Sequence, residues 1–252
     1  MRRRPLAETK RVALPSRSVV DGFLSPSVHA ATHPNLAAVV LGGSGETTTY
    51  AQLEERSRRF ANALRARGVG VGDHIAILLE NNCAFLEVAW AAQRAGLHYT
   101  AVNSHLLAAE VEYILSDSGA KALVSSPAMS HILNALDLRG IPVRVSTGCS
   151  LAGFEPYQDL LAEASDAPVE DEQEGREMLY SSGTTGQPKG VLKPLPGTRF
   201  GDPSAPPVQI AIGQAARGVG NGKVVLSPAP LYHSAPLLAA MAAHRLGATV
   251  VV

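Results

Sequence analysis

Between Tyr180 and Val191 the chain reads YSSGTTGQPKGV. Ser181 to Gly186 are all Ser, Thr or Gly, and Pro188, Lys189 and Gly190 close the run. Phosphoryl groups need many donors converging on one place, and backbone N–H groups in a turn opened by glycines such as Gly183 and Gly186 can supply them without side chains in the way. The hydroxyls of Ser181, Ser182, Thr184 and Thr185 add donors to phosphoryl oxygens or lie beside a bound magnesium ion, with Ser181 or Thr184 the expected metal contact. Lys189 adds a compact positive charge. The chemistry implied is the holding of a nucleoside triphosphate. The loop is not of Walker A type, because Lys189 precedes Gly190 and the next segment is strand-like. A flexible linker would have no reason to carry Pro188, Lys189 and Gly190 in that order.

Elements that could position such a loop are legible on both sides of it. AAVVLGGSGETTTY has the pattern of a hairpin. A helix follows, with Thr49 and Gln52 at capping-box spacing, Leu53, Phe60, Ala61 and Leu64 on one face, and Gly68 as its stop. His74 to Glu80 is a short apolar run, read as a buried strand. A helix over Cys83 to Ala95 follows, capped by Asn81 or Asn82 and ended by Gly96. The alternation continues through LHYTAV, a helix over Ala108 to Asp117, KALVSS, a helix near Met129 to Leu136, and IPVRVS. Strands alternating with helices predict an α/β fold of layered, largely parallel sheets flanked by helices. EASDAPVEDEQEGRE reads as an acidic surface connection leading into the Ser/Thr/Gly loop. Beyond it, GVLKPL and KVVLSPAP read as strands, Val208 to Arg217 and Ala235 to His244 as helices, and ATVVV as a last strand.

YSSGTTGQPKGV resembles, at every defining position, the signature loop of the AMP-forming adenylating enzymes, the superfamily of acyl-CoA synthetases, luciferases and peptide-synthetase adenylation domains. TYAQLEERSRRFANALRARGVGVGDHIAILLENN and AGLHYTAVNSHLLAAEVEYILSDSGAKALVSS are similar to the helix and strand units of the same family, so the resemblance runs from about Thr49 to Val252. PLYHSAP is similar to the family's aromatic and His motif beside the acid pocket. The resemblance implies that His233 faces the acyl carboxylate with Tyr232 nearby. It also implies that Ser181, Ser182, Gly183, Thr184, Thr185, Gly186 and Lys189 hold ATP. Catalytic roles then fall to Lys189 and His233, with Mg2+ and coenzyme A completing the reaction. The implied activity is ATP-dependent activation of a carboxylic acid, expected to be a fatty acid, to an acyl-adenylate and then to acyl-CoA.

Residues 1–252 contain no Tyr-Gly-x-Thr-Glu motif, later aspartate motif, hinge or terminal catalytic lysine of that family. The expectation is an incomplete N-terminal adenylation domain, inactive as residues 1–252 alone. The alternative is a non-catalytic nucleotide-binding or interaction module. ATVVV is expected to present an unpaired strand edge favouring self-association. Leu107 stands where the family often has a helix-capping Ser or Thr.

Twenty-two Lys and Arg balance twenty-two Asp and Glu, which argues against a nucleic-acid partner, since such domains carry a basic excess. No apolar run approaches the ~18 residues of a membrane span, and no apolar stretch follows the basic start. Cys83 and Cys149 match no CxxC or zinc spacing, so a cytoplasmic location is the simple expectation. His29 and His33 are four apart, but no glutamate completes a zinc motif and Pro34 follows.

Overall fold

The computed structural model describes residues 24–181, 188–203, 219–220 and 222–252. A short helix α1 (Pro26–Thr32) precedes the hairpin of β1 (Ala37–Val40) and β2 (Thr47–Thr49). Helix α2 (Tyr50–Ala66) starts as its capping box dictates. The Thr49 hydroxyl accepts from the Gln52 N–H at 3.2 Å and the Gln52 side chain accepts from the Thr49 N–H at 2.9 Å. It stops where Gly68 takes the left-handed φ of 77° that a side chain would resist.

Strand β3 (His74–Leu78), helix α3 (Cys83–Arg94), strand β4 (His98–Ala101), helix α4 (Ala108–Asp117) and strand β5 (Ala120–Ser125) match the alternation read from sequence. A 3-10 turn (Pro127–Met129) and the short helix α5 (Ser130–Leu133) take the place of the longer helix expected near Met129 to Leu136. Then come β6 (Val143–Ser146), β7 (Glu155–Pro156), α6 (Tyr157–Glu163), β8 (Arg176–Glu177), β9 (Leu179–Ser181), β10 (Lys189–Val191), β11 (Val224–Leu226), α7 (Ser234–Arg245) and β12 (Thr249–Val251). The helix expected over Val208 to Arg217 lies outside the described residues.

Six strands form one parallel sheet in the order β7-β6-β5-β3-β4-β8. Its central strand is buried on both faces, as crossover helices require. Ile75 and Ile77 of β3 join the core with Phe85, Trp90 and Met241, while Ala76 and Leu78 face Val111, Ile114 and Ile132 on the other side. A second sheet has the order β11-β12-β1-β2. This overturns the expectation of an unpaired C-terminal edge. ATVVV forms β12 in the sheet interior, paired in parallel with both β1 and β11, and the edges are β11 and β2. The stated ground for self-association is thereby removed.

The acidic connection is also corrected. Within it Val169, Glu174 and Glu177 are buried, and β8 extends the six-stranded sheet. Charge alone suggested a solvated segment, but Glu174 has a partner inside. Arg245 donates to it through both terminal nitrogens, at 3.0 and 2.9 Å, with the two side chains 0% and 1% exposed. Gln93 and the Gly201 N–H donate to the same carboxylate at 2.6 and 2.7 Å. The guanidinium lies 5.0 Å from the Trp90 ring centre and 5.8 Å from that of Phe200. Removing one member of a buried, hydrogen-bonded pair strands the other charge, at a cost of about 3–5 kcal/mol. Glu174→Ala is therefore expected to lower unfolding stability by that order, measured in urea. A change under ~1 kcal/mol would show that the pair is not the fold's lock.

The neighbouring His244 is fully buried. Its Nδ1 accepts from the Trp90 indole N–H at 3.0 Å and its Nε2–H donates to the Ala38 carbonyl at 2.9 Å, which specifies the neutral ring. A second proton on Nδ1 would face the indole donor. Burial lowers the His244 pKa from 6.5 to about 4, and burial likewise lowers His74 to about 4. Both folded values lie below the unfolded one, so the unfolded chain binds more protons between them. Stability is then full above pH 6.5 and falls as pH drops towards 4, by up to ~3 kcal/mol per histidine. Urea midpoints measured across that window should fall with pH, and the fall should shrink in His244→Gln. An unchanged slope would place the acid sensitivity elsewhere.

Candidate functional site

Strands β9 and β10 pair antiparallel, with Lys189 opposite Ser181, Gly190 opposite Tyr180 and Val191 opposite Leu179. The Ser/Thr/Gly run is thus the connection of a hairpin. Chain pairing brings Lys189, eight residues along, back beside Ser181, with its side chain exposed. Ser182, Gly183, Thr184, Thr185 and Gly186 lie outside the described residues.

Two three-residue strands do not hold themselves in place, so the hairpin depends on its surroundings. It is fastened to β4 just before it begins. The Met178 N–H donates to the Tyr99 carbonyl at 2.9 Å, and the Thr100 hydroxyl donates to the Met178 carbonyl at 2.9 Å. It is fastened again through Tyr180, whose hydroxyl donates to Asp117 Oδ2, at the end of α4, at 2.6 Å. Burial, then this carboxylate, raises the phenol's pKa well above its usual value.

Tyr180 also explains Gly190. A Cβ at residue 190 would meet the Met178 methyl and stand 2.7 Å from Tyr180 Cζ, which lies directly across the ladder. Only a glycine leaves room for the ring.

The PLYHSAP segment is tied to the residues that follow β3 and β4. The Leu231 N–H donates to Asn81 Oδ1 at 2.9 Å, just past the end of β3. Tyr232 stands edge-on to His105, 6.0 Å between ring centres at 74°, and Tyr232 and His233 lie 4.6 Å apart. His105 follows β4, its N–H held by Asn103 Oδ1 at 2.8 Å. His233 occupies the position before α7, extended at φ −82° and ψ 144°, with its ring exposed. Among the described residues no hydrogen bond or ring contact joins Lys189 to Tyr232 or His233.

The hairpin is thus tied to β4 and α4, and PLYHSAP to the segments that leave the carboxyl ends of β3 and β4, where open parallel sheets present ligand crevices. The arrangement can offer the Lys189 cation from the hairpin, and an aromatic and imidazole surface from His105, Tyr232 and His233. Four residues here escaped the reading of the sequence. Asn81 was seen as an alternative cap, but Asn82 takes that role, its Oδ1 accepting from the Phe85 N–H at 3.0 Å, and Asn81 holds Leu231 instead. Tyr180 opens the quoted loop and carried no assigned role, while His105 and Asp117 give no local signal. Helix α4 begins at Ala108 despite Leu107, because Glu110 Oε2 accepts from the Leu107 N–H at 2.8 Å and supplies half of a capping box.

Gly190→Ala is expected to loosen the hairpin by ~1–3 kcal/mol, the usual cost of overpacking. Amide exchange should rise across Leu179–Ser181 and Lys189–Val191 and stay unchanged in His74–Leu78. Equal exchange in both segments would mean that the ring and the added methyl rearrange freely.

The profile of the AMP-binding enzyme family matches residues 27–252. Feruloyl-CoA synthase of Amycolatopsis sp is 35% identical over 167 residues, covering 66% of this chain and 32% of that protein. 4-Coumarate–CoA ligase 3 of Oryza sativa subsp. japonica is 37% identical over 153 residues, covering 60% and 28%. The chain thus spans about a third of the length of the curated relatives it matches. Among solved structures, the N-terminal domain of FACL13 from Mycobacterium tuberculosis superposes with a TM-score of 0.73 at 25% identity, over 90% of this chain and 55% of that one. A red emitting luciferase from Phrixothrix hirtus shares the fold, with a TM-score of 0.75 at 21% identity over 94% and 47%.

Proposed function

This chain belongs to the AMP-binding enzyme family, and from that premise we propose that it contributes the ATP-holding and acid-facing part of an AMP-forming acyl-CoA ligase. The observation that carries the reading is the β9–β10 pairing, which stations Lys189 beside Ser181, the first residue of a Ser/Thr/Gly run.

In the proposed reaction a substrate carboxylate oxygen attacks the α-phosphorus of ATP. The bond to the β-phosphate oxygen breaks and pyrophosphate leaves. The thiol of coenzyme A then attacks the acyl carbonyl, AMP leaves with the bonding electrons, and the thiol proton passes to solvent or base. Lys189 and the loop's donors, Ser181 through Gly186, neutralise charge building on the departing β- and γ-phosphates. Such preorganised donors contribute on the order of 2.7–4 kcal/mol each. Magnesium enters as part of the ATP complex, with Ser181 or Thr184 its proposed contact. Tyr232 and His233 line the approach of the carboxylate. The relatives are named for feruloyl-CoA, 4-coumarate and long-chain fatty acids, so the acid class is carboxylic, with a fatty acid as the finer proposal. No helix among the described residues is long and apolar enough to cross a membrane. A cytoplasmic setting, where ATP and coenzyme A meet, is part of the same proposal.

Titration of residues 1–252 with magnesium-ATP tests the reading. Binding is expected, and Lys189→Ala should weaken it by about 10- to 100-fold, the value of a hydrogen bond to a charged group. His233→Ala should leave ATP affinity within about twofold and alter the response to added carboxylic acids. No ATP binding by the unmodified chain would overturn the reading. ATP binding indifferent to Lys189 would move the phosphates elsewhere. Residues 1–252 alone, given ATP, magnesium, coenzyme A and fatty and aryl acids, should release no AMP above background.

A further inference from the structure

Tyr180 does more than begin the loop. Its ring packs with the residues between α4 and the six-stranded sheet, its hydroxyl is bonded to Asp117 at 2.6 Å, and the face of Gly190 is filled by that ring. Asp117 also takes a weaker contact from the Tyr113 hydroxyl, at 3.4 Å through its other oxygen. One carboxylate at the end of a helix therefore fixes the ring, and the ring fixes the opposite strand. Lys189 is the residue next to Gly190 on that strand, so its backbone is tied through the ring to α4.

We infer that Tyr180 and Asp117 are positioning residues for Lys189. Their hydrogen bond and the glycine beneath the ring hold the lysine at one height against bound phosphate. The inference rests on the nucleotide reading above. It adds that the affinity of the site depends on a side chain pair that touches no phosphate.

The geometry makes a specific demand on substitutions. Tyr180→Phe keeps the ring over Gly190 and deletes the hydroxyl's bond to Asp117 together with its contact to Ser118. Asp117→Ala deletes the same bond from the other end. Asp117→Asn keeps an oxygen that accepts from the phenol, and so should rescue. Because the Tyr180–Asp117 bond is removed in both single variants, the double variant Tyr180→Phe/Asp117→Ala should lose clearly less than the sum of the two.

The test measures three things on residues 1–252: the dissociation constant for magnesium-ATP, amide exchange across β9 and β10, and the thermal midpoint. A net hydrogen bond of ~1 kcal/mol corresponds to about a fivefold change. Tyr180→Phe and Asp117→Ala are each expected to weaken ATP about fivefold and to speed exchange at Lys189–Val191 by a similar factor. The double variant should fall clearly short of the summed losses, and Asp117→Asn should stay within about twofold of the unmodified chain. The midpoint should barely move, since the hairpin opens locally. Unmodified affinity in Tyr180→Phe, additive losses in the double variant, or faster exchange with unchanged affinity would each overturn the inference. A chain that binds no ATP even unmodified would overturn the nucleotide reading instead, while the exchange data still decide whether Tyr180 and Asp117 hold the hairpin.

Discussion

Arg245 and Glu174 are two charges inside the molecule, and their geometry orders much of what surrounds them. Desolvating such a pair costs several kcal/mol per ion, recovered only if every donor and acceptor is matched. Here the match is made by distant pieces of chain. Gln93 comes from α3, the Gly201 N–H from the segment after β10, and the Leu24 carbonyl accepts from Arg245 at 2.6 Å. The ion pair therefore cannot form unless α3, α7, the acidic connection and the segment around Gly201 are all in place. Once Glu174 is drawn in, Arg176 and Glu177 fall beside His98 and Tyr99 as the sixth strand of the sheet. The next residues are Met178 and Tyr180, so the position of the loop hairpin follows from that of a buried carboxylate.

The six-stranded sheet turns this placement into a site. Parallel strands joined by helices all point their carboxyl ends the same way, and the segments that leave those ends are free to diverge in sequence. After β3 the chain offers Asn81, and after β4 it offers His105; both meet the Leu231–Tyr232 segment. The same β4 receives Met178 on its other side. Two motifs about forty residues apart in the chain are thus tied to β4 and to the segments that follow β3 and β4.

Local physics made much of this readable from the sequence. The capping box at Thr49 and Gln52, the Gly68 stop and the two-sided burial of His74 to Leu78 are written in adjacent residues, and the elements begin and end there. What could not be read depends on partners far along the chain. Glu174 looked solvated because its cation is 71 residues away. ATVVV looked like an edge because its sheet neighbours are β1, at the other end of the chain, and β11. At the site, composition is what motivates the phosphate proposal for the loop, whereas Asp117 and His105 are ordinary residues made functional candidates only by what folds against them.

The proposed phosphate loop is supported differently from phosphate cradles at a helix N-terminus. There the helix supplies both the donors and the rigidity, through its free N–H groups and its packed body. Here the run is followed by a strand, and the strands at its base are three residues each, too short to be stable alone. Rigidity must then be borrowed. It comes from β4 through Met178 and from α4 through Tyr180, two anchors on the same side of the run. The other strand has a glycine where an ordinary residue would add a side chain of its own, and is held by the ring it accommodates. The base of the hairpin is thereby registered to the sheet through β9, and β10 with its Lys189 follows through the ladder and through the ring.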